Sequence, residues 1–252
     1  MAIDTSIKGH VAFVAAGAAG IGRSSAEQLA AAGAKVAIVD RDAAGAKKAA
    51  EAIVAAGGEA IAIAGECTDL AAMEKAVAEV TGKWGRLDIV VNCAGGFRAP
   101  KSLDMSVEEW RESIDWNLTS IFVVAKATVP ALRARKYGRM VSIASLAGRA
   151  GGLSSSLSYS AAKAGVIGLV RRLAVELAPD GITCNVVAPG TTRSPRVDAM
   201  GPERAVAMAK ATPAGRLAES DEIADSIVYL CRPSAGFVNG AVLDINGARW
   251  TG

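Results

Sequence analysis

"VAFVAAGAAGIGRSSAEQLAAAGAKVAIVD", residues 11–40, reads as a strand, a glycine-bearing turn, a helix and a second strand that ends on an acid. Such a turn lets the backbone approach a pyrophosphate, whose charge is met by N–H groups at the following helix N-terminus. Gly17, Gly20 and Gly22, with Ala19 and Ile21 between them, supply it here. Asp40 stands eighteen residues beyond Gly22. A carboxylate there accepts the hydroxyls of an adenosine ribose and repels a 2′-phosphate, which favours NAD over NADP. Arg41 argues the other way, since a guanidinium can grip a phosphate or stack on adenine. Glycine strings arise by chance in a chain with 27 glycines, so the reading depends on what lies downstream.

Outward from this unit, apolar runs rich in Val and Ile recur at 60–64, 87–92, 139–143, 182–187 and 241–245, after those at 11–15 and 35–39. Helical stretches are predicted between them at about 21–32, 43–56, 70–83, 106–134, 158–178 and 220–231. Continuous apolar strands alternating with helices imply a parallel sheet covered on both faces. The expected fold is a Rossmann-type, doubly wound α/β domain with three αβα layers, and 252 residues suit one such domain over 1–252. The least regular region, "PGTTRSPRVDAMGPERAVAMAKATPAG" at 189–215, is expected to be a lid over a substrate site.

Composition removes several function classes. A net charge of +3 comes from 28 basic and 25 acidic residues with no run of five like charges, which speaks against nucleic acid. No apolar run approaches the ~20 residues that span a bilayer, and the N-terminus lacks a signal-peptide pattern, so a cytoplasmic protein is expected. Four scattered cysteines and the single His10 give no metal-ligand spacing, and leave little room for a histidine-based triad.

The chemistry falls to "GRMVSIASLAGRAGGLSSSLSYSAAKAGVIGLVRRLAVELAPDG", a strand ending at Ser145 followed by a helix with Tyr159 and Lys163. Positions four apart share a helical face, so phenol and ammonium can meet one ligand. A phenol titrates near 10 in isolation, and a fixed cation beside it favours the phenolate, bringing it into range as a proton acceptor from an alcohol.

The chain resembles the single-domain short-chain dehydrogenase/reductase family from about Lys8 to Gly247. The resemblance rests on "AAGAAGIG" at 15–22, Asp40, "NCAG" at 92–95, Asn117 in "WNLTSIF", Ser145, "YSAAK" at 159–163 and "PGTTRS" at 189–194. It implies hydride transfer between NAD(H) and a secondary alcohol or ketone, with Tyr159 as general acid/base. Lys163 would hold the nicotinamide ribose, Ser145 the substrate oxygen, and Asn117 a water behind Lys163. Asn92, Ala94 and Gly95 would support the cofactor, as would Pro189, Gly190, Thr192 and Ser194. Glu66, followed by Cys67, would meet the adenine. The resemblance also implies a homotetramer or homodimer. The chain departs from the family at Ala15-Ala16, where Thr-Gly is usual, and at Glu66, where Asp is usual. Two other functions stay open: an NADPH-dependent 3-oxoacyl thioester reductase, and a non-catalytic nucleotide-binding subunit. Substrate contacts are expected from Gly96 to Arg98, Leu146 to Leu157 and 194–211, and Arg98, Arg149, Arg193 and Arg196 in or beside them raise the question of an anionic substrate.

Overall fold

Strand β1 (Val11–Ala15) sends alternate side chains into two separate apolar cores. Val11, Phe13 and Ala15 enter one, and Ala12 and Val14 the other. A strand buried on both faces needs a helical layer on each side. In a computed structural model, which describes residues 4–96, 102–151 and 155–252 and leaves the side chains of 195 and 196 aside, both layers are present. The strands are β1, β2 (Lys35–Asp40), β3 (Glu59–Ala64), β4 (Ile89–Asn92), β5 (Gly138–Ile143), β6 (Ile182–Pro189) and β7 (Val242–Ile245). They pair in parallel throughout, in the order β3-β2-β1-β4-β5-β6-β7.

Helices α1 (Gly20–Ala31) and α2 (Ala43–Ala55) cover one face, with Leu29 and Ile53 joining the Val14 core. On the other face α3 (Leu70–Trp84) brings Met73 and Val80 to the Phe13 core. The strand order reverses between β1 and β4, and in such a sheet the crevice above the strand C-termini at that reversal is where ligands sit.

Each expected strand is found with its ends shifted by no more than two residues. The helix predicted over 106–134 is interrupted. It divides into α4 (Val107–Ile114), a π-helical turn (Asp115–Thr119) and α5 (Ser120–Arg135). The Asn117 amide explains the break: its Nδ2 donates to the Ser113 carbonyl at 3.0 Å. A side chain inserted there opens the helical ladder. Beyond β5 come α6 (Leu146–Ala150) and α7 (Leu157–Leu177), the latter adding Val166 and Leu177 to the Phe13 core. The irregular 189–215 region contains α8 (Pro195–Asp198) and α9 (Pro202–Lys210). The last helix, α10 (Ser220–Cys231), packs on α1 and buries Ile223 and Ile227. Among the described residues, no helix is long and apolar enough to cross a membrane.

Candidate active site

A cavity of about 710 Å³ opens above the C-terminal ends of the strands. Its wall runs from Asp40 and Arg41 at the end of β2, past Ala16 and Ala19–Gly22, to Gly95, Ser145, Tyr159 and Lys163, and on to 189–194.

The turn is built differently from what its glycines suggest. Ala16 takes the left-handed conformation, with φ +57°, while Gly17 does not. Gly17 is needed for space instead, since a Cβ there would lie 2.9 Å from Ile38 Cγ2. A Cβ on Gly22 would collide with the Ala16 carbonyl oxygen, so Gly22 lets α1 start against the turn. Ala16 and Gly17 both donate to the Val39 carbonyl, at 2.8 and 3.4 Å, which fixes the turn to β2.

Helix α1 has no side-chain cap at Ala19, whereas α2, α3, α4 and α7 are capped by Asp42, Asp69, Ser106 and Ser156. Ala19, Gly20, Ile21 and Gly22 line the cavity, so the first-turn N–H groups of α1 are open toward it. Uncapped N–H donors beside a glycine-made hollow fit the pyrophosphate of a dinucleotide. Asp40 stands next to this hollow. Its Oδ2 accepts from Ala18 N at 3.0 Å and its Oδ1 from Asp42 N at 2.9 Å, so the carboxylate is held in one orientation with lone pairs to spare. Arg41 forms an ion pair with Glu66 at 3.6 Å.

On the other side of the reversal, Ser145 ends the β5 segment and caps α6, its Oγ accepting from Ala147 N at 3.1 Å. Ser156 caps α7 by accepting from Tyr159 N at 3.2 Å, which places Tyr159 in the first turn of that helix. One turn on, Lys163 is buried, with Nζ 5.8 Å from the centre of the Tyr159 ring. That Nζ donates to the Ile143 carbonyl at 2.9 Å and the Ala94 carbonyl at 3.4 Å. Burial pulls the Lys163 ammonium down to about 8, opposed by the neighbouring Cys93.

Asn117 lies behind Lys163. Its Oδ1 accepts from Gly96 N at 2.9 Å, which ties the loop after β4 to the π turn. A Cβ on Gly95, whose φ is +117°, would crowd both Asn117 Oδ1 and, at 3.0 Å, Lys163 Nζ. Asn117 thus closes from behind on Gly95 and Lys163, which line the cavity.

Not every expected residue faces the cavity. Gly17, Glu66, Cys67, Asn92, Ala94 and Asn117 are absent from its lining. Cys67 is packed in the Phe13 core and burial pushes its thiol up to about 12. Asn92 is buried, its Oδ1 accepting from Ala94 N at 3.2 Å while its Nδ2 has no partner among the described residues. Pro189, Gly190, Thr192 and Ser194 do line the cavity. Thr192 makes a parallel bridge to Ala218, and Ser194 Oγ accepts from Val197 N at 3.3 Å. Of the arginines, Arg149 is paired with Asp244 at 3.2 Å and stacked on Trp250, and Arg193 is paired with Glu219 at 3.0 Å. Arg98 and the Arg196 side chain lie outside the described residues. Val197, Met200 and Met208 line the cavity from within the segment expected to cover it, whereas sequence reasoning missed Trp116 and Arg249, which are also in the lining. Arg249 follows the last strand and carries no motif. His10 takes no part, being stacked on Tyr137 with ring centres 5.4 Å apart.

The whole arrangement has counterparts in known proteins. A family model described as enoyl-(acyl carrier protein) reductase matches residues 15–247. The chain is 35% identical over 245 residues to the 3-oxoacyl-[acyl-carrier-protein] reductase FabG of Escherichia coli, covering 97% of this chain and 99% of that protein. It is also 35% identical over 246 residues to the short-chain reductase protein NovJ of Streptomyces niveus, covering 95% and 93% of the two chains. The solved structure of a short-chain type dehydrogenase/reductase from Mycobacterium marinum superposes with a TM-score of 0.93 at 28% identity, over 98% of each chain. With this fold, this site and these relatives, the chain belongs to the short-chain dehydrogenase/reductase family of oxidoreductases.

Proposed function

We propose that the protein is an NAD-dependent dehydrogenase or ketone reductase acting on secondary alcohols and ketones. The observation that carries this is the sharing of one cavity by Ser145, Tyr159, Lys163 and the uncapped start of α1. A bound nicotinamide dinucleotide supplies the hydride donor or acceptor. The chain's own groups handle the oxygen and its proton. Ser145 Oγ holds the substrate oxygen, and the Tyr159 hydroxyl takes the alcohol proton in oxidation or returns it in reduction. The Lys163 ammonium beside the ring favours the phenolate. Asn117, acting behind Lys163, positions the loop at Gly96 and the water through which the proton leaves.

The preference for NAD rests on Asp40, oriented by two backbone N–H groups, and on Arg41, which Glu66 engages. A second reading, a 3-oxoacyl thioester reductase using NADP, is favoured by the identity with FabG, and Arg41 would then leave Glu66 for the 2′-phosphate. Titration with NADH and NADPH, followed by nicotinamide fluorescence, separates the two. Tighter NADH binding is expected, and tighter NADPH binding would overturn the NAD assignment. The 189–215 segment acts in this reading as the substrate lid, bringing Val197, Met200 and Met208 over the cavity. A homotetramer fits the exposure of Phe122 on α5 and Val175 on α7, with Phe237 exposed near β7 as a second apolar point.

A further inference from the structure

Three arginines line the cavity among the described residues, and two of them already have carboxylate partners: Arg41 meets Glu66 and Arg193 meets Glu219. Arg249 does not. Its one side-chain partner among the described residues is a neutral oxygen, Thr191 Oγ1, to which Nη1 donates at 2.9 Å. The residue is half-buried rather than extended into solvent. A guanidinium partly withdrawn from water and facing a cavity without a counter-ion is poised to receive an anion.

Position says which anion. The sheet order puts β7, and the segment after it that carries Arg249, five strands away from β2 and Asp40. Ser145, at the end of β5, lies between them. A dinucleotide anchored at Asp40 with its reactive end at Tyr159 therefore leaves Arg249 on the far side, toward the substrate. The lining of the same cavity includes apolar residues that the dinucleotide reading does not use: Leu146, Ala150, Val197, Met200 and Met208. The segment is also held in place. Gly247 accepts from Ala214 N at 3.2 Å, and Arg249 N donates to the Asn246 carbonyl at 3.2 Å.

Resting on the dehydrogenase reading above, we propose that Arg249 determines substrate specificity by pairing with a carboxylate, so that the substrate is a secondary alcohol or ketone with an apolar body and a single carboxylate. One guanidinium in a cavity with such a lining suits one monoanion, and Thr191 holds the fork in orientation. Arg149, which sequence alone also offers for this role, is taken by Asp244 and Trp250.

The test uses the full-length protein with its preferred dinucleotide. Medium-chain hydroxy acids with the carbinol at different distances from the carboxylate are compared with their methyl esters, in wild type and Arg249→Leu. Wild type is expected to prefer the matching acid over its ester. Arg249→Leu should lose about thirtyfold in kcat/KM on the acid and stay within about twofold on the ester, with dinucleotide affinity unchanged. Arg249→Gln, which keeps a donor for Thr191 without the charge, should show the same loss and keeps the test decisive if the leucine variant misfolds. Equal turnover of acid and ester in wild type would overturn the assignment, as would an equal loss on both in the variants. Weakened dinucleotide binding in the variants would overturn it too, by placing the cation on the pyrophosphate. Turnover of neither acid nor ester, with dinucleotide bound, would bring down the dehydrogenase reading itself.

Discussion

Ala16 is a residue at which sequence and backbone disagree, an alanine in a left-handed conformation. A left-handed alanine costs roughly 1–2 kcal/mol, and its partner in the turn, Gly17, is committed to packing against Ile38. Ala16→Gly removes that cost but frees the unfolded chain, leaving a net gain of roughly 0.5 kcal/mol. We expect Tm to rise by about 1–2 °C by calorimetry, with dinucleotide affinity little changed because the turn already has its shape. Ala16→Val should lower Tm by several degrees, since a β-branched residue tolerates this φ poorly. At Ala15 the missing hydroxyl also has a structural counterpart. Ala15 pairs in register with Asn92, whose buried Nδ2 lacks a partner among the described residues. Ala15→Thr puts an acceptor on the same face and should add about 1 kcal/mol to the unfolding free energy measured in urea. His10 provides the pH dependence. Burial lowers its pKa against the raising effect of Asp88. A base held neutral in the fold contributes stability above its unfolded value of about 6.5, and that contribution is lost as pH falls through it. Tm measured between about pH 5.5 and 7 should therefore drop toward the acid end, and His10→Phe should flatten that slope.

At the scale of elements, the strands and most helices were legible because burial on both faces writes unbroken apolar runs at 11–15, 35–39 and 139–143. Tyr159 and Lys163 were legible because helical spacing puts them on one face and they coincide with the strand-end Ser145 and a nucleotide-type turn, and Asp40 because it ends a strand. The π turn was not legible. Helical periodicity persists through 106–134, and only Asn117 in mid-helix marks the place where a side chain competes for the Ser113 carbonyl. Nor did the order of glycines say which residue would take the positive φ, since that depends on the close approach of Ile38 and of α1. Arg249 lay beyond any motif and reaches the cavity only because β7 is placed beside β6. Gly22→Ala should abolish dinucleotide binding, as its Cβ would strike the Ala16 carbonyl at the start of α1. Retained affinity by fluorescence titration would show that the cofactor is held elsewhere.

For the whole molecule, the two cores and the reversed strand order put the glycine-bearing turn and the helix with Tyr159 and Lys163 on opposite sides of one crevice. Phe122 and Val175 are exposed by 50% and 70%, and neither belongs to either core. If they meet partner copies, Phe122→Asp combined with Val175→Glu should lower the mass measured by light scattering, whereas an unchanged mass would place the interface elsewhere. Hydride transfer with proton exchange at Tyr159 is best measured by single-turnover reduction of a ketone by the NADH-loaded protein, wild type beside Tyr159→Phe. With NADH bound equally in both, the variant is expected to be slower by about 10²–10⁴-fold. Equal rates would contradict the role of Tyr159 as the proton-transferring group.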